Sequence, residues 1–350
     1  LKLNVCYSYN YMLKGERPVI HKNLDPEFEA VVPQMQALFG IDDMSSLTLD
    51  DIPAIRKTLA DAQAAMAAGI APNPNVTCEE RMIPGPKGEP DVRVKIYRPN
   101  NQSETLPCFY HIHGGGLILG SIDGEEADMS LFSEKLNTVV VSVNYRLAPE
   151  HPYPAPVEDC YAGLQWVAEN ANELRIDPTR IVVGGESAGG GLAAATVLLA
   201  RDRKGPEVAY QYLIYPMLDD RNESPSSKEF TGNWPGWSRE LNELGWRAYL
   251  GNNKRDVSPY AAPARAEDLS NLPPAYIEVG AWEVFRDEDI DYAKRLMQQN
   301  VSVELHVHPG VFHGFEVGNP EAEVSKFAMD LRFRALRKAL HPENVKDRAK

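Results

Sequence analysis

From Val92 to Leu340, short apolar runs alternate with longer stretches in which apolar residues recur at steps of three and four. The short runs predict strands at Val92–Tyr97, Pro107–Ile112, Thr138–Asn144, Arg180–Gly184, Tyr210–Tyr215, Ala275–Gly280 and Ser302–Val307. The longer stretches predict helices at Asp123–Leu136, Val157–Asn170, Ala188–Arg201, Asp287–Gln299 and Glu321–Leu340. Strands separated by helices need crossovers that cover both faces of a mostly parallel sheet, so the expected class is α/β.

Two regions stand outside that rhythm. Between Leu49 and Gly69, Ile52, Ile55, Leu59, Ala62 and Met66 mark one face of an amphipathic helix that needs something to cover. Pro72, Pro74, Pro84, Pro86 and Gly88 then break up the chain. From Leu218 to Pro263 a polar stretch around Asn222–Lys228 leads into an aromatic helical segment with Trp234, Trp237, Trp246 and Tyr249. An insertion of that size at a strand end reads as a lid rather than a linker, its tryptophans serving either as core or as pocket lining.

Composition narrows the function classes. With 36 Lys+Arg against 50 Asp+Glu the net charge is −14, and no basic block interrupts it, which disfavours a nucleic-acid partner. The most apolar stretch, Leu192 to Ala200, is far short of the roughly 18 to 20 residues that span a bilayer. Cys6, Cys78, Cys108 and Cys160 make no disulfide framework and no C-x-x-C pair; Cys108 and Cys160 read as buried thiols. Leu1 to Asn10 lacks the cationic-then-apolar layout of a signal peptide, from which a cytoplasmic location is expected.

The chemistry concentrates at predicted strand ends. Gly185-Glu186-Ser187-Ala188-Gly189 is a G-x-S-x-G sequence between the strand Arg180–Gly184 and a small-residue helix. A strand-to-helix turn tight enough to expose a serine hydroxyl needs small neighbours two residues either side, and the helix dipole favours negative charge at the serine. His113-Gly114-Gly115-Gly116 follows an earlier strand; it is either a flexible turn or a turn whose amides approach a reacting carbonyl oxygen, completed by the amide of Ala188. His313, after the last strand, is the histidine placed to reach a serine at the sheet top. An acid between the two is offered by Glu283, nearest a strand tip, with Asp287 as the rival; Asp287 and Asp289 fall on a helix start, where carboxylates commonly act as caps.

Taken with Tyr145-Arg146-Leu147-Ala148-Pro149-Glu150-His151-Pro152-Tyr153-Pro154-Ala155, Arg286-Asp287-Glu288 and His313-Gly314-Phe315, these motifs resemble the hormone-sensitive-lipase-like carboxylesterases of the α/β-hydrolase superfamily, over roughly Val92 to Leu340. The resemblance implies an α/β-hydrolase core over 76–217 and 263–350, with helical cap segments over 1–75 and 218–262. It implies Ser187 as nucleophile, His313 as general base and Glu283 in the slot that aspartate usually fills. The amides of Gly115, Gly116 and Ala188 would form the oxyanion hole, with His113 and Gly114 supporting it. Glu186 before the nucleophile, where aspartate is common, and Leu117 after the glycines, where an aromatic is frequent, depart from the family pattern.

That reading predicts hydrolysis of short- to medium-chain neutral esters through an acyl-enzyme, with no metal or cofactor, and leaves a homodimer open. An amidase, carbamate hydrolase or lactonase would use the same residues. Two other classes compete: a zinc enzyme built on the pairs His111/His113 and His306/His308, and a non-catalytic small-molecule binder on the same fold.

Overall fold

The computed structural model describes residues 23–37, 46–67, 69, 71–100, 102, 104–251 and 256–342. Eight strands form one sheet: β1 (Val76–Ile83), β2 (Val92–Pro99), β3 (Leu106–Ile112), β4 (Val139–Asn144), β5 (Ile176–Glu186), β6 (Tyr210–Ile214), β7 (Ala275–Gly280) and β8 (Val303–His308). Their order is β1-β2-β4-β3-β5-β6-β7-β8; β2 is antiparallel to both neighbours, and every pairing from β4 to β8 is parallel. The helices are α1 (Val32–Ala37), α2 (Ile52–Ala67), α3 (Glu126–Leu136), α4 (Ala155–Glu169), α5 (Ala188–Asp202), α6 (Pro225–Glu229), α7 (Arg239–Leu250), α8 (Arg286–Gln298), α9 (Phe315–Gly318) and α10 (Glu323–Leu340).

The central strands read as unbroken apolar runs because both of their faces are covered. Tyr110, Ile112, Val141, Val143, Ile181 and Val183 face α4, α5 and α8, while the intervening Phe109, Val140 and Val182 face α3 and α10. Burial on both sides removes the polar half of the alternation. The edge strand β1 escapes prediction for the opposite reason: most of Val76-Thr77-Cys78-Glu79-Glu80-Arg81-Met82-Ile83 is exposed and shows no two-residue period. β5 starts at Ile176, ahead of its apolar run, because Ile176 pairs with Leu106 across a register shift and carries the polar residues from Asp177 to Arg180 with it.

The outlying segments pack on the same core. Ile52 and Ile55 of α2 are buried with Leu117 and Ile118, and Leu59 packs beside them; the side chains of Ala62 and Met66 lie outside the described residues. Trp237, with Trp246 and Tyr249 of α7, joins the same cluster. On α10, Leu331, Ala335 and Leu336 pack against the sheet and Phe327 is left exposed. Cys108 and Cys160 are buried thiols, Cys78 is exposed, and Cys6 lies outside the described residues. Among the described residues no helix is long and apolar enough to cross a membrane.

Candidate active site

Ser187 sits between the end of β5 and the first residue of α5 with φ 58° and ψ −121°, a strained conformation for a residue with a Cβ. Backbone bonds hold it there: its amide donates to Ile214 O at 2.9 Å, and its carbonyl accepts from Gly191 N and Met217 N, each at 3.0 Å. The flanking glycines follow from crowding. A Cβ on Gly185 would stand 2.1 Å from Ile112 O, and one on Gly189 would stand 2.0 Å from the same oxygen, so the turn presses directly on the end of β3.

The glycine turn lies across from it. Gly115 and Gly116 have φ of 118° and 59°, and the carbonyl of Gly115 accepts from Leu119 N at 2.8 Å. The amides of Gly115, Gly116 and Ala188 donate to no backbone carbonyl among the described residues, which leaves them available to an anionic oxygen. His113 supports the turn from below. Its ring stacks on Tyr145 at 4.2 Å, Nδ1 donates to Gly114 O at 2.8 Å, and burial pushes its basicity down to about 4, so it is neutral. Leu117, which follows the glycines, is buried with φ 68°.

His313 bridges serine and acid. Nε2 is 2.9 Å from Ser187 Oγ, and Nδ1 is 2.7 Å from Glu283 Oε2, with Glu283 fully buried. A carboxylate only accepts, so Nδ1 carries the proton and the Nε2 lone pair faces the serine hydroxyl. Burial raises the Glu283 carboxyl above its ordinary value, against the pull of the His313 ring and the Gly280 amide. The acid and base loops are fastened together past the β7–β8 ladder, where Ala281 N donates to His308 O at 2.8 Å and Trp282 N to Val311 O at 3.0 Å.

Asp287 is employed elsewhere. It accepts from Ser226 N at 2.7 Å and from Arg286 Nε at 2.8 Å, tying α6 to the start of α8. Burial works against its charge, but those donors outweigh it and hold the carboxyl below its usual range. Of the two histidine pairs, three members face carboxylates, His111 with Glu186 at 2.8 Å, His306 with Glu304 at 3.0 Å and His308 with Glu278 at 3.5 Å, and the fourth, His113, bonds Gly114 O. Among the described residues no group of three or more His, Cys, Asp or Glu is arranged to hold a metal ion.

Several neighbours of His313 carry no sequence signal. Tyr215 and Phe285 set ring edges against the imidazole at 4.4 and 5.2 Å. Phe28, far away in the chain, packs on Phe312 and Phe315 on either side of His313, and Asp25 N donates to Gly310 O at 2.8 Å. Such contacts join separate segments of the chain, in the case of Phe28 and Asp25 hundreds of residues away, and no local pattern announces them. The closest available signal was the aromatic content of Phe312-His313-Gly314-Phe315 itself.

Asp289, one turn into α8, is fully buried with neither carboxylate oxygen hydrogen-bonded among the described residues. Burial, reinforced by Glu288 and Glu283, raises its carboxyl well above the usual range. A raised acid contributes full stability below its unfolded value and loses it as pH climbs toward the folded one, so charge here opposes folding at neutral pH. Asp289→Asn is therefore expected to raise Tm at pH 8 by about 2–4 °C, and by less at pH 5, in thermal unfolding. Equal gains at both pH values would refute the charge argument.

The sheet order, the strained turn at Ser187 and the glycine turn facing it define an α/β hydrolase. The sequence pattern of the alpha/beta hydrolase fold family matches residues 109–317. The chain is 38% identical over 274 residues to carboxylesterase NlhH of Mycobacterium tuberculosis, covering 77% of this chain and 84% of that one. It is 37% identical over 310 residues to carboxylic ester hydrolase LipN of the same organism, covering 86% and 79%. The solved structure of a bacterial heroin esterase superposes with a TM-score of 0.83 at 41% identity, covering 91% of this chain and 98% of that one. The chain belongs to the α/β-hydrolase family, in its hormone-sensitive-lipase-like branch.

Proposed function

We propose that the protein is a serine carboxylesterase in which Ser187, His313 and Glu283 form the catalytic triad. The observation that carries this is the continuous chain of contacts from Glu283 through His313 to a serine in a strained strand-to-helix turn. Its relatives are named carboxylesterases and esterases, which supports the same class of bond. His313 Nε2 takes the Ser187 proton as Oγ attacks the ester carbonyl carbon. The carbonyl oxygen becomes an oxyanion that accepts from the amides of Gly115, Gly116 and Ala188. The alcohol then departs with the proton from Nε2, and water repeats the sequence on the acyl-enzyme.

In this reading, residues 76–217 and 263–350 are the catalytic core, and 1–75 and 218–262 are cap segments. Trp237 gives the cap a role in selection. A Cβ on Gly116 would stand 2.3 Å from Trp237 Cη2, so the indole closes the space beside the proposed oxyanion donors. That supports short- to medium-chain esters, and the net charge of −14 supports neutral ones. Trp237→Ala is expected to raise the ratio of kcat/KM for p-nitrophenyl octanoate over butyrate by about tenfold or more. An unchanged ratio would move the chain-length boundary away from this residue.

The test of the function itself is a panel of p-nitrophenyl esters with organophosphonate labelling. Hydrolysis with covalent labelling at Ser187 is the expected result; failure of both would leave a binding protein on a hydrolase fold.

A further inference from the structure

The geometry points to His111 and Glu186 as positioning residues: a charged tether that holds the glycine turn against the nucleophile turn and whose loss on the alkaline side lowers turnover. The inference rests on the esterase reading above and deepens it. His111 lies on β3, two residues before the glycine turn begins, and Glu186 is the last residue of β5, immediately before Ser187. The two strands pair in parallel, His111 opposite Gly184 and Ile112 opposite Gly185. The turns beyond them touch, since a Cβ on Gly114 would stand 3.0 Å from Glu186 O and 3.5 Å from Ser187 Cβ. Relative movement of the two strand tips would therefore change the distance between the nucleophile and the donors that receive its oxyanion.

The tether is a buried imidazole between two carboxylates. His111 Nε2 is 2.8 Å from Glu186 Oε2, and Nδ1 is 3.4 Å from Glu125 Oε2 and 3.3 Å from Ser142 Oγ. The charged and titratable groups facing it are Glu186 from β5, Glu125 at the N-cap of α3, Asp128 in the first turn of α3, and neutral His113 beyond its own strand. The charge of Arg332 on α10 also favours ionised Glu186, and the Phe109 ring packs against the imidazole at 5.6 Å in a T-shaped contact. Only the imidazolium donates from both nitrogens. A neutral ring keeps one N–H; with that proton on Nε2 the bond to Glu186 survives and the Nδ1 lone pair faces Glu125 Oε2 and Ser142 Oγ, so deprotonation replaces the ion pair beside Ser187 with a weaker hydrogen bond.

The sign follows from the surroundings. Burial disfavours the His111 cation, but Glu186 and then Glu125 outweigh it and push the ring up to about 9, while Glu186 is held below its usual range. The pair is thus fully charged at neutral pH and is lost as pH rises through about 9. This differs from the proposed role of His313, whose Nε2 takes and returns a proton in every turnover while Nδ1 keeps the one facing Glu283.

The test is the kcat–pH profile on p-nitrophenyl butyrate between about pH 6 and pH 10, with spontaneous hydrolysis subtracted. The wild-type profile is expected to fall on the alkaline side near pH 9. His111→Gln is expected to lower kcat about 10- to 100-fold at neutral pH with little change in KM, and to abolish that limb. Glu186→Gln is expected to move the limb toward lower pH by about one unit or more, and Glu125→Gln by less. A limb that persists near pH 9 in folded His111→Gln, or that ignores Glu186→Gln, would overturn the tether. If His111→Gln fails to fold, the two glutamate variants still decide. Organophosphonate labelling separates the two levels: a labelled wild type whose limb ignores these variants overturns the tether alone, and an unlabelled wild type overturns the esterase reading and the tether with it.

Discussion

Ser187→Ala is expected to abolish ester hydrolysis, with kcat lowered on the order of 10⁶-fold, while the fold and its Tm stay close to wild type. The separation of the two effects follows from how the turn is held. Ser187 makes no side-chain cap to α5, and its φ of 58° is fixed by bonds from its backbone to Ile214, Gly191 and Met217. Alanine at the same φ and ψ carries the same Cβ strain and keeps each of those bonds. Removing Oγ deletes the nucleophile and little else. Steady-state rates with a burst assay for the acyl-enzyme, beside a thermal melt, check both halves. Turnover retained by pure, folded mutant would end the serine-hydrolase reading.

Glu283→Gln is expected to lower kcat about 10⁴-fold, the scale seen when a triad acid is neutralised in place. Glutamine is isosteric, so the His313 loop keeps its contacts to Ala281 and Trp282. Its amide nitrogen, however, offers a donor to Nδ1 and favours the tautomer in which Nε2 holds the proton, which removes the base that Ser187 needs. Asp287→Asn is the informative companion. It weakens the bond to Ser226 N and the ion pair to Arg286, so it is expected to lower Tm and to leave kcat within about tenfold of wild type. A larger kinetic loss for Asp287→Asn than for Glu283→Gln, in folded protein, would reverse the assignment of the acid.

The two candidate acids also show where sequence reading reaches its end. Both follow β7 within two turns of helix, and both satisfy the order serine, acid, histidine. Helix-start position argued for Asp287 as a cap of α8, but α8 has no side-chain cap, and Asp287 instead accepts from Ser226 N of α6 and from the Arg286 side chain. Yet nothing local states which carboxylate meets His313. The answer depends on the β7–β8 register, which sets Gly280 opposite His308 and brings residue 283 beneath residue 313. The missed strand β1 illustrates the same limit, because an exposed edge strand is defined by its partner β2 rather than by its own pattern.

The sequence by itself determined the α/β class, the seven strands with apolar runs, the strand-to-helix turn at Ser187 and the glycine turn after His113. Each of these is a local demand: burial on two faces, a tight turn and a close backbone approach leave marks in consecutive residues. Only the tertiary structure decided that Glu283 holds His313, that Phe28 braces the histidine loop, that Trp237 covers Gly116 and that His111 meets Glu186. Those contacts join residues 30 to 284 positions apart in the chain. Their distances are fixed by strand order and helix packing, quantities that exist only once the sheet has formed.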